Sequence, residues 1–408
     1  MKEAAWQKVP FGECVTLFSG GTPSKTRNEY WGGSIPWVSS KDLKRERIYT
    51  TDDLLTQEGV ENGTRMVPTG TVLFVVRSMV LANRFPVSIA MRPVAFNQDI
   101  KAVACREFVL PLFIYYWLRA NEYEILGRVD EAAHGTKRLQ IDRLAAMLVN
   151  IPPLKVQRHI ADILSAYDDL IENCEQRIRV LDGMARVLFR EWFVLFRFPG
   201  HEKTPLVESP IGRIPKGWRV ERAGGIACEN RRGVPKGTLE DGPTRYVGLE
   251  HIPRRSLALD AWDETAELGS NKLRFEPGEV LFGKIRPYFH KVSVAPFSGV
   301  CSADTFVISA KAPYLRAFTT CLVSSDEFVA HASATANGAK MPRANWDVMM
   351  NFPVALPPPA LLESFSALVE PWLACNHSLV FRVHNLRRTR DLLLPRLLSG
   401  QLYVEDAA

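Results

Sequence analysis

Seven cysteines are scattered through the 408 residues, at positions 14, 105, 174, 228, 301, 321 and 375; none forms a Cys-x-x-Cys pair or has a histidine at ligand spacing. That excludes a zinc ribbon and a disulfide framework and leaves reduced thiols, as expected of a cytoplasmic protein. The most apolar run, Val72 to Ala82, is interrupted by Arg77 and is too short to span a membrane; it reads as a buried strand or two. Met1 to Phe11 has no apolar stretch behind a basic start, so no secretion signal is expected. No glycine loop has dinucleotide or P-loop spacing, and Ser19-Gly20-Gly21-Thr22-Pro23 reads as a turn. Asp42-Leu43-Lys44 and Asp99-Ile100-Lys101 match the last element of a nuclease metal site but lack a second carboxylate strand. Asn150-Ile151-Pro152-Pro153-Leu154 departs from an amino-methyltransferase signature by the inserted Ile151 and a missing aromatic. The eight histidines form no triad, and no catalytic, cofactor or metal site is expected in this chain.

What is present is a folded composition, 46% hydrophobic and 24% charged, in a chain long enough for two domains or more. Its net charge of +6 permits a nucleic-acid partner. The clearest element is a heptad seam of Ile160, Leu164, Tyr167, Ile171, Cys174, Ile178, Leu181, Ala185, Leu188 and Trp192, with Asp162, Asp169, Glu172, Glu175, Arg177, Arg179, Asp182, Arg186 and Arg190 between. That pattern predicts a long helix seeking another helix. At ~1.5 Å per residue it spans roughly 50 Å.

The chain then repeats itself. Ile214-Pro215-Lys216-Gly217-Trp218 opens a second half much as Trp6 opens the first, and Pro277-Gly278-Glu279-Val280-Leu281-Phe282 echoes Pro68-Thr69-Gly70-Thr71-Val72-Leu73-Phe74. Asn337-Gly338-Ala339-Lys340 echoes His134-Gly135-Thr136-Lys137, and Leu356-Pro357-Pro358 echoes Ile151-Pro152-Pro153. A second seam, Leu379, Val383, Leu386, Leu393 and Leu397, is broken once by Arg390. Four matches in one order, 203 to 212 residues apart, indicate tandem duplication of a globular domain followed by a long helix. The expected organisation is a domain over 1–150, a helix over 151–197, a linker over 198–216, a domain over 217–355, a helix over 356–402 and a tail over 403–408. Phe113 to Leu126 should be one helix of the first domain, and Pro371 and Pro395 should kink or interrupt the last helix.

Basic residues interleaved with aromatics on expected loops are the candidate DNA contacts, suited to phosphates and base edges. They are Lys41, Lys44, Arg45, Arg77, Lys137 and Arg138 in the first domain, and Arg231, Arg232, Lys284, Arg286, Tyr288, Lys340 and Arg343 in the second. Arg254 and Arg255 form a further basic pair. Those following the apolar strands, at Arg77-Ser78 and Lys284 to Tyr288, are the foremost candidates.

Gly20-Gly21-Thr22-Pro23, Tyr30-Trp31-Gly32-Gly33 and Ile35-Pro36-Trp37-Val38-Ser39 resemble the opening of the specificity subunit of type I restriction-modification systems. Ile151-Pro152-Pro153-Leu154 with Gln157, Ile160 and Leu164 resembles that family's first central region, and Leu394-Pro395-Arg396-Leu397-Leu398-Ser399-Gly400 its closing one. The second half departs at Arg231-Arg232-Gly233-Val234-Pro235, where the first has Gly-Gly-Thr-Pro, and at Leu362 in place of Gln157. The resemblance implies an α+β chain with two α/β target recognition domains, each reading one part of a split site in double-stranded DNA, and two long helices packed as an antiparallel coiled coil. It implies two methyltransferase subunits as partners, which use S-adenosylmethionine on adenine, and in a full complex two restriction subunits using ATP and Mg²⁺. Arg177, Arg186, Arg190 and Arg387 would then dock partners. The readings set against it are a self-contained DNA methyltransferase or nuclease and a duplicated scaffold that does not bind DNA.

Overall fold

A computed structural model describes residues 6–131, 135–238, 242–336, 338 and 340–402. The chain forms two compact units, Met1–Asp168 with Arg388–Ala408, and Asp169–Arg387.

In the first unit five strands lie in the order Val15–Ser19, Ile100–Cys105, Val72–Val75, Val87–Ala90, Arg47–Ile48. Neighbours are antiparallel except the last two, which are parallel. Val72, Leu73, Phe74 and Val75 are fully buried, because the helix Pro111–Ala120 packs against this strand and against Val87–Ala90; a run buried on both faces shows no alternation. A second sheet runs Leu54–Leu55, Trp31–Val38, Val94–Phe96, Met66–Val67, with the middle pair parallel.

The second unit repeats both sheets. Ala227–Glu229, Thr305–Ala310, Val280–Gly283 and Val292–Val294 reproduce the first four strands of the larger sheet, all antiparallel. The parallel pair recurs as Thr244–Val247 beside Gly299–Ser302. The duplication read from sequence is thus a duplication of strand order and direction.

Several expected elements differ. The helix over Phe113–Leu126 is two helices, Pro111–Ala120 and Glu122–Leu126, parted at Asn121. There the Asn121 amide donates to the Trp117 carbonyl at 2.8 Å, and the Glu122 carboxylate turns back to accept from the Phe85 amide at 2.7 Å; local side-chain bonds override the helical pattern. Val72 to Ala82 is one strand followed by a 3-10 turn, Met79–Ala82, in which the Val80 amide donates to Ser78 Oγ at 3.3 Å. Residues 198–216 hold a ribbon of Leu206–Val207 with Ile214–Pro215, and Phe198 and Ile214 are buried.

The central helix covers Leu154–Phe189 and the C-terminal helix Pro359–Leu398. Gln157, fully buried in the first turn, accepts from the Leu110 amide and donates to the carbonyls of Phe108 and Pro152, which ties the helix to the first unit's own domain. After Phe189 a π-turn, Arg190–Val194, seats Trp192 and Phe193 side by side in the core; a wider turn brings adjacent residues to one face. Both prolines lie inside the C-terminal helix, which runs on through them. Pro371 and Pro395 are exposed, so a carbonyl freed by a missing N–H can bond water, while buried Phe365, Val369, Leu373 and Leu397 hold the helix.

The seams pack as expected within each unit. Ile160, Leu164 and the closing residues Leu394, Leu397 and Leu398 join the first core, with Leu393 packed against it. Ile171, Cys174, Ile178, Leu379, Val380 and Val383 form a cluster in the second, with Leu181 and Leu386 against it. Tyr167 and Leu188 are half-buried, and Leu170 and Met184 are exposed. Asp182, expected on the polar face, is buried instead, and so is Asp168. Asp168 accepts from Arg390 Nη1 at 2.6 Å, so the residue that interrupts the second seam is that acid's partner. Asp182 Oδ1 accepts from the Asn376 amide at 2.7 Å, and Glu175 from Arg387 at 2.6 Å. Within the second unit, residue numbers on one helix rise from 175 to 182 as those of the partners fall from 387 to 376, which is antiparallel pairing.

Candidate nucleic-acid interface

In each unit the chain leaving the buried central strand is clasped by a later segment. In the first, the Ser78 amide donates to the Lys137 carbonyl at 3.0 Å and the Leu139 amide to the Val76 carbonyl at 2.9 Å, so Arg77 faces Arg138 across one bridge. In the second, the Arg286 amide donates to the Pro342 carbonyl at 2.7 Å and the Ala344 amide to the Lys284 carbonyl at 2.9 Å, and Ile285 faces Arg343. These bonds gather Arg77, Lys137 and Arg138 into one basic corner and Arg286, Lys340 and Arg343 into its counterpart. His134, Asn337 and Ala339, from the matched sequences beside these corners, lie outside the described residues.

The corners are not charged alike. Arg77 and Arg138 are exposed, and Lys137 pairs with Glu131 at 3.0 Å. Arg286 is held in the left-handed region at φ 49°, followed by Pro287, and its Nη2 donates to the Lys340 carbonyl at 3.4 Å. Such a conformation in a residue other than glycine marks a constrained position. Beside it Tyr288 is 55% exposed, and the Arg254 guanidinium lies 4.1 Å from the centre of the Phe289 ring. Arg343 pairs with Asp304 at 3.1 Å and remains more than half exposed.

One expected contact turns inward, and a second is held by a buried acid. Lys284 Nζ donates to the Ala303 carbonyl at 2.9 Å and sits 4.5 Å from the Phe306 ring centre, with Glu229 at 3.8 Å. Burial pushes its pKa below the usual lysine range, against the pull of Glu229. Arg232 is engaged by the buried carboxylate of Glu279. Arg231 pairs with Glu229 yet is 71% exposed. Lys44 and Arg45 are exposed, and Lys41 is half-exposed beside Asp53 at 2.9 Å.

The Gly20-Gly21 turn is a structural necessity. A Cβ on Gly20 would stand 1.9 Å from the Phe96 carbonyl oxygen, and one on Gly21 2.2 Å from that of Gly63. The Gly21 amide donates to Phe96 at 2.9 Å and its carbonyl accepts from Trp37 Nε1 at 3.0 Å. Asp42 caps its own turn, accepting from the amide and hydroxyl of Ser39 at 2.8 Å each. Among the described residues no group of three or more His, Cys, Asp or Glu side chains is placed to hold a metal, and no helix is long and apolar enough to cross a membrane.

The family model described as the type I restriction modification DNA specificity domain matches residues 3–182. A type I restriction enzyme MjaIX specificity subunit from Methanocaldococcus jannaschii is 27% identical over 98% of this chain and 94% of its own length. Over nearly its whole length the chain is similar to a type I specificity subunit. The EcoR124I/EcoR124II specificity subunit from Escherichia coli is 32% identical over 49% of this chain and 50% of its own. A crystal structure of a type I S subunit from M. genitalium shares the fold, with a TM-score of 0.61 at 14% identity over 97% of both chains.

Two arginines expected to dock partners are engaged within the chain. Arg186 Nη2 donates to the Arg255 carbonyl at 2.5 Å, and Arg387 is bound to Glu175. Arg177 and Arg190 are exposed. The residues that sequence reasoning missed are the buried polar ones, Asp168, Asp182 and Asn376; the one signal for them was Arg390, a charge standing in a seam.

Proposed function

We propose that the two units each read one half of a split, asymmetric site in double-stranded DNA, and that the chain positions two methyltransferase subunits on it, with two restriction subunits in a full complex. The observation that supports this most is the repeated basic corner, Arg77 with Arg138 and Arg286 with Arg343, mounted on one strand order in both units. A rigid sheet edge carrying exposed cations suits phosphate contact, and one such edge per unit suits one half-site each. Two successive major grooves on one face of DNA lie ~34–36 Å apart, and a helix of 36 residues spans roughly 54 Å, long enough to set such a gap. Catalysis on adenine would belong to partners that carry S-adenosylmethionine and extrude the base, and ATP and Mg²⁺ to the restriction subunits. The setting is the cytoplasm.

The test is a genome-wide map of methylated adenine in a methylation-free host carrying this chain with its methyltransferase, and in hosts carrying either alone. A two-part motif with one fixed gap, seen only with both, is the expected result. Methylation by this chain alone, or no split motif with both, would overturn the reading.

A further inference from the structure

Both units contain the same joint between a loop and a helix. In the first, Ser88 Oγ donates to the Arg45 carbonyl at 2.6 Å and the Ile89 amide to the Glu46 carbonyl at 2.9 Å. In the second, Ser293 Oγ donates to the Ser256 carbonyl at 2.8 Å and the Val294 amide to the Leu257 carbonyl at 2.8 Å. Ser88 and Ser293 lie 205 residues apart, as do Ile89 and Val294. Glu46 and Leu257 are therefore equivalent positions.

Each of these positions reaches a buried polar group of the long helices. The Glu46 carboxylate accepts from Arg390 Nη1 at 3.0 Å and pairs with Arg119 at 2.8 Å. Arg390 also binds Asp168, which accepts from the Tyr116 hydroxyl at 2.6 Å. The Leu257 amide and the Ser256 hydroxyl both donate to Asp182 Oδ2, at 2.9 and 2.7 Å. The two joints use different chemistry at one place in the fold, an ion pair in the first unit and neutral donors to a carboxylate in the second.

On the far side of each joint the chain is basic. Lys41, Lys44 and Arg45 precede Glu46, and Arg254 and Arg255 precede Ser256. Arg45, exposed, is one residue from a carboxylate fixed on a buried guanidinium. A buried ion pair is seldom kept for stability alone, since apolar residues of like size serve as well or better, whereas a charged hydrogen bond fixes distance and direction.

We propose that Glu46 with the Arg390–Asp168 pair, and Asp182 in the second unit, are positioning residues for DNA recognition, setting where each unit's basic loop stands on its helices. This rests on the reading of the chain as the reader of a split DNA site. A displacement of about 1 Å in a recognition group is enough to weaken a well-placed contact, so each joint governs one half-site and leaves the other alone.

The experiment uses the full chain assembled with its methyltransferase subunits. Methylation rates are compared on duplexes bearing the native split site and on duplexes with one base changed in either half. Glu46→Gln keeps the shape of the side chain and removes its charge. It is expected to reduce discrimination at one half-site about tenfold and to lower the melting temperature, leaving discrimination at the other half-site unchanged. Asp182→Asn is expected to act on the opposite half-site. Should Glu46→Gln fail to fold, Asp168→Leu with Arg390→Leu removes the buried pair in an apolar form, and the same one-sided loss is expected. Discrimination unchanged in these variants, or reduced equally at both half-sites, overturns the proposal. A wild-type complex that methylates no split site overturns the DNA reading instead.

Discussion

Arg390 Nη1 lies 2.6 Å from Asp168 Oδ1, and each side chain is only about one-twentieth exposed. Burial works against the guanidinium's charge and Arg119 adds to that, but Glu46 and Asp168 outweigh both and hold it firmly protonated. Removing one partner leaves a buried charge unpaired, which typically costs about 3–5 kcal/mol. Arg390→Leu alone should therefore lower the melting temperature sharply, while Arg390→Leu with Asp168→Leu should melt near wild type. Calorimetry on the three proteins checks this; equal losses in the single and double variants would argue against a paired role.

Gly20→Ala tests the close approach at the first domain's opening turn. Its added methyl would meet the Phe96 carbonyl oxygen, backbone that has no rotamer to yield. A loss of about 3 kcal/mol is expected, read as a lower melting temperature and a smaller soluble yield.

Arg286→Gly should separate stability from binding. Glycine relieves the left-handed backbone at φ 49°, a gain of about 1 kcal/mol, yet removes a cation from the second basic corner. The variant should melt slightly higher and bind DNA more weakly. The slope of log affinity against log salt should fall by about one; an unchanged slope would remove Arg286 from the phosphate contacts.

His290 gives a pH dependence. Burial first, then Arg255 and Arg186, hold its ring below the ordinary 6.5, although the Ser324 carbonyl and Asp326 pull the other way. The fold thus prefers the neutral imidazole. Its contribution is whole above the unfolded value and is lost as pH falls through the lower, folded one. Between about pH 7 and 5 the wild type should lose more melting temperature than His290→Asn, a residue that tolerates φ 53°. Parallel pH profiles would show that the ring is not the titrating group.

The architecture was largely legible in the residues. Val72 to Val75 and Val280 to Leu281 announce buried strands, the proline pairs at 152–153 and 357–358 mark where the helices begin, and the repeated order of these segments gives the duplication. What could not be read depends on partners distant in the chain. A heptad reading sorts residues by apolarity, so it puts Asp182 outside, although Asn376, Ser256 and Leu257 satisfy it inside. Lys284 follows an apolar strand as Arg77 does, yet it folds back onto Ala303 and Phe306 while Arg77 faces solvent. Pro371 looks like a helix breaker until its exposed position is known.

The helices start 205 residues apart, at Leu154 and Pro359, which makes Ala185 the counterpart of Arg390 and Leu373 the counterpart of Asp168. Two first halves laid helix to helix would set a buried Asp168 against Ala185; two second halves would set Arg390 against Leu373. Acids at 168, 175 and 182 belong to one helix, and their partners Arg390, Arg387 and Asn376 to the other. The ancestral repeats have become complementary parts that no longer substitute for each other. An exchange of either domain keeps these pairs intact only when the crossovers fall outside both helices.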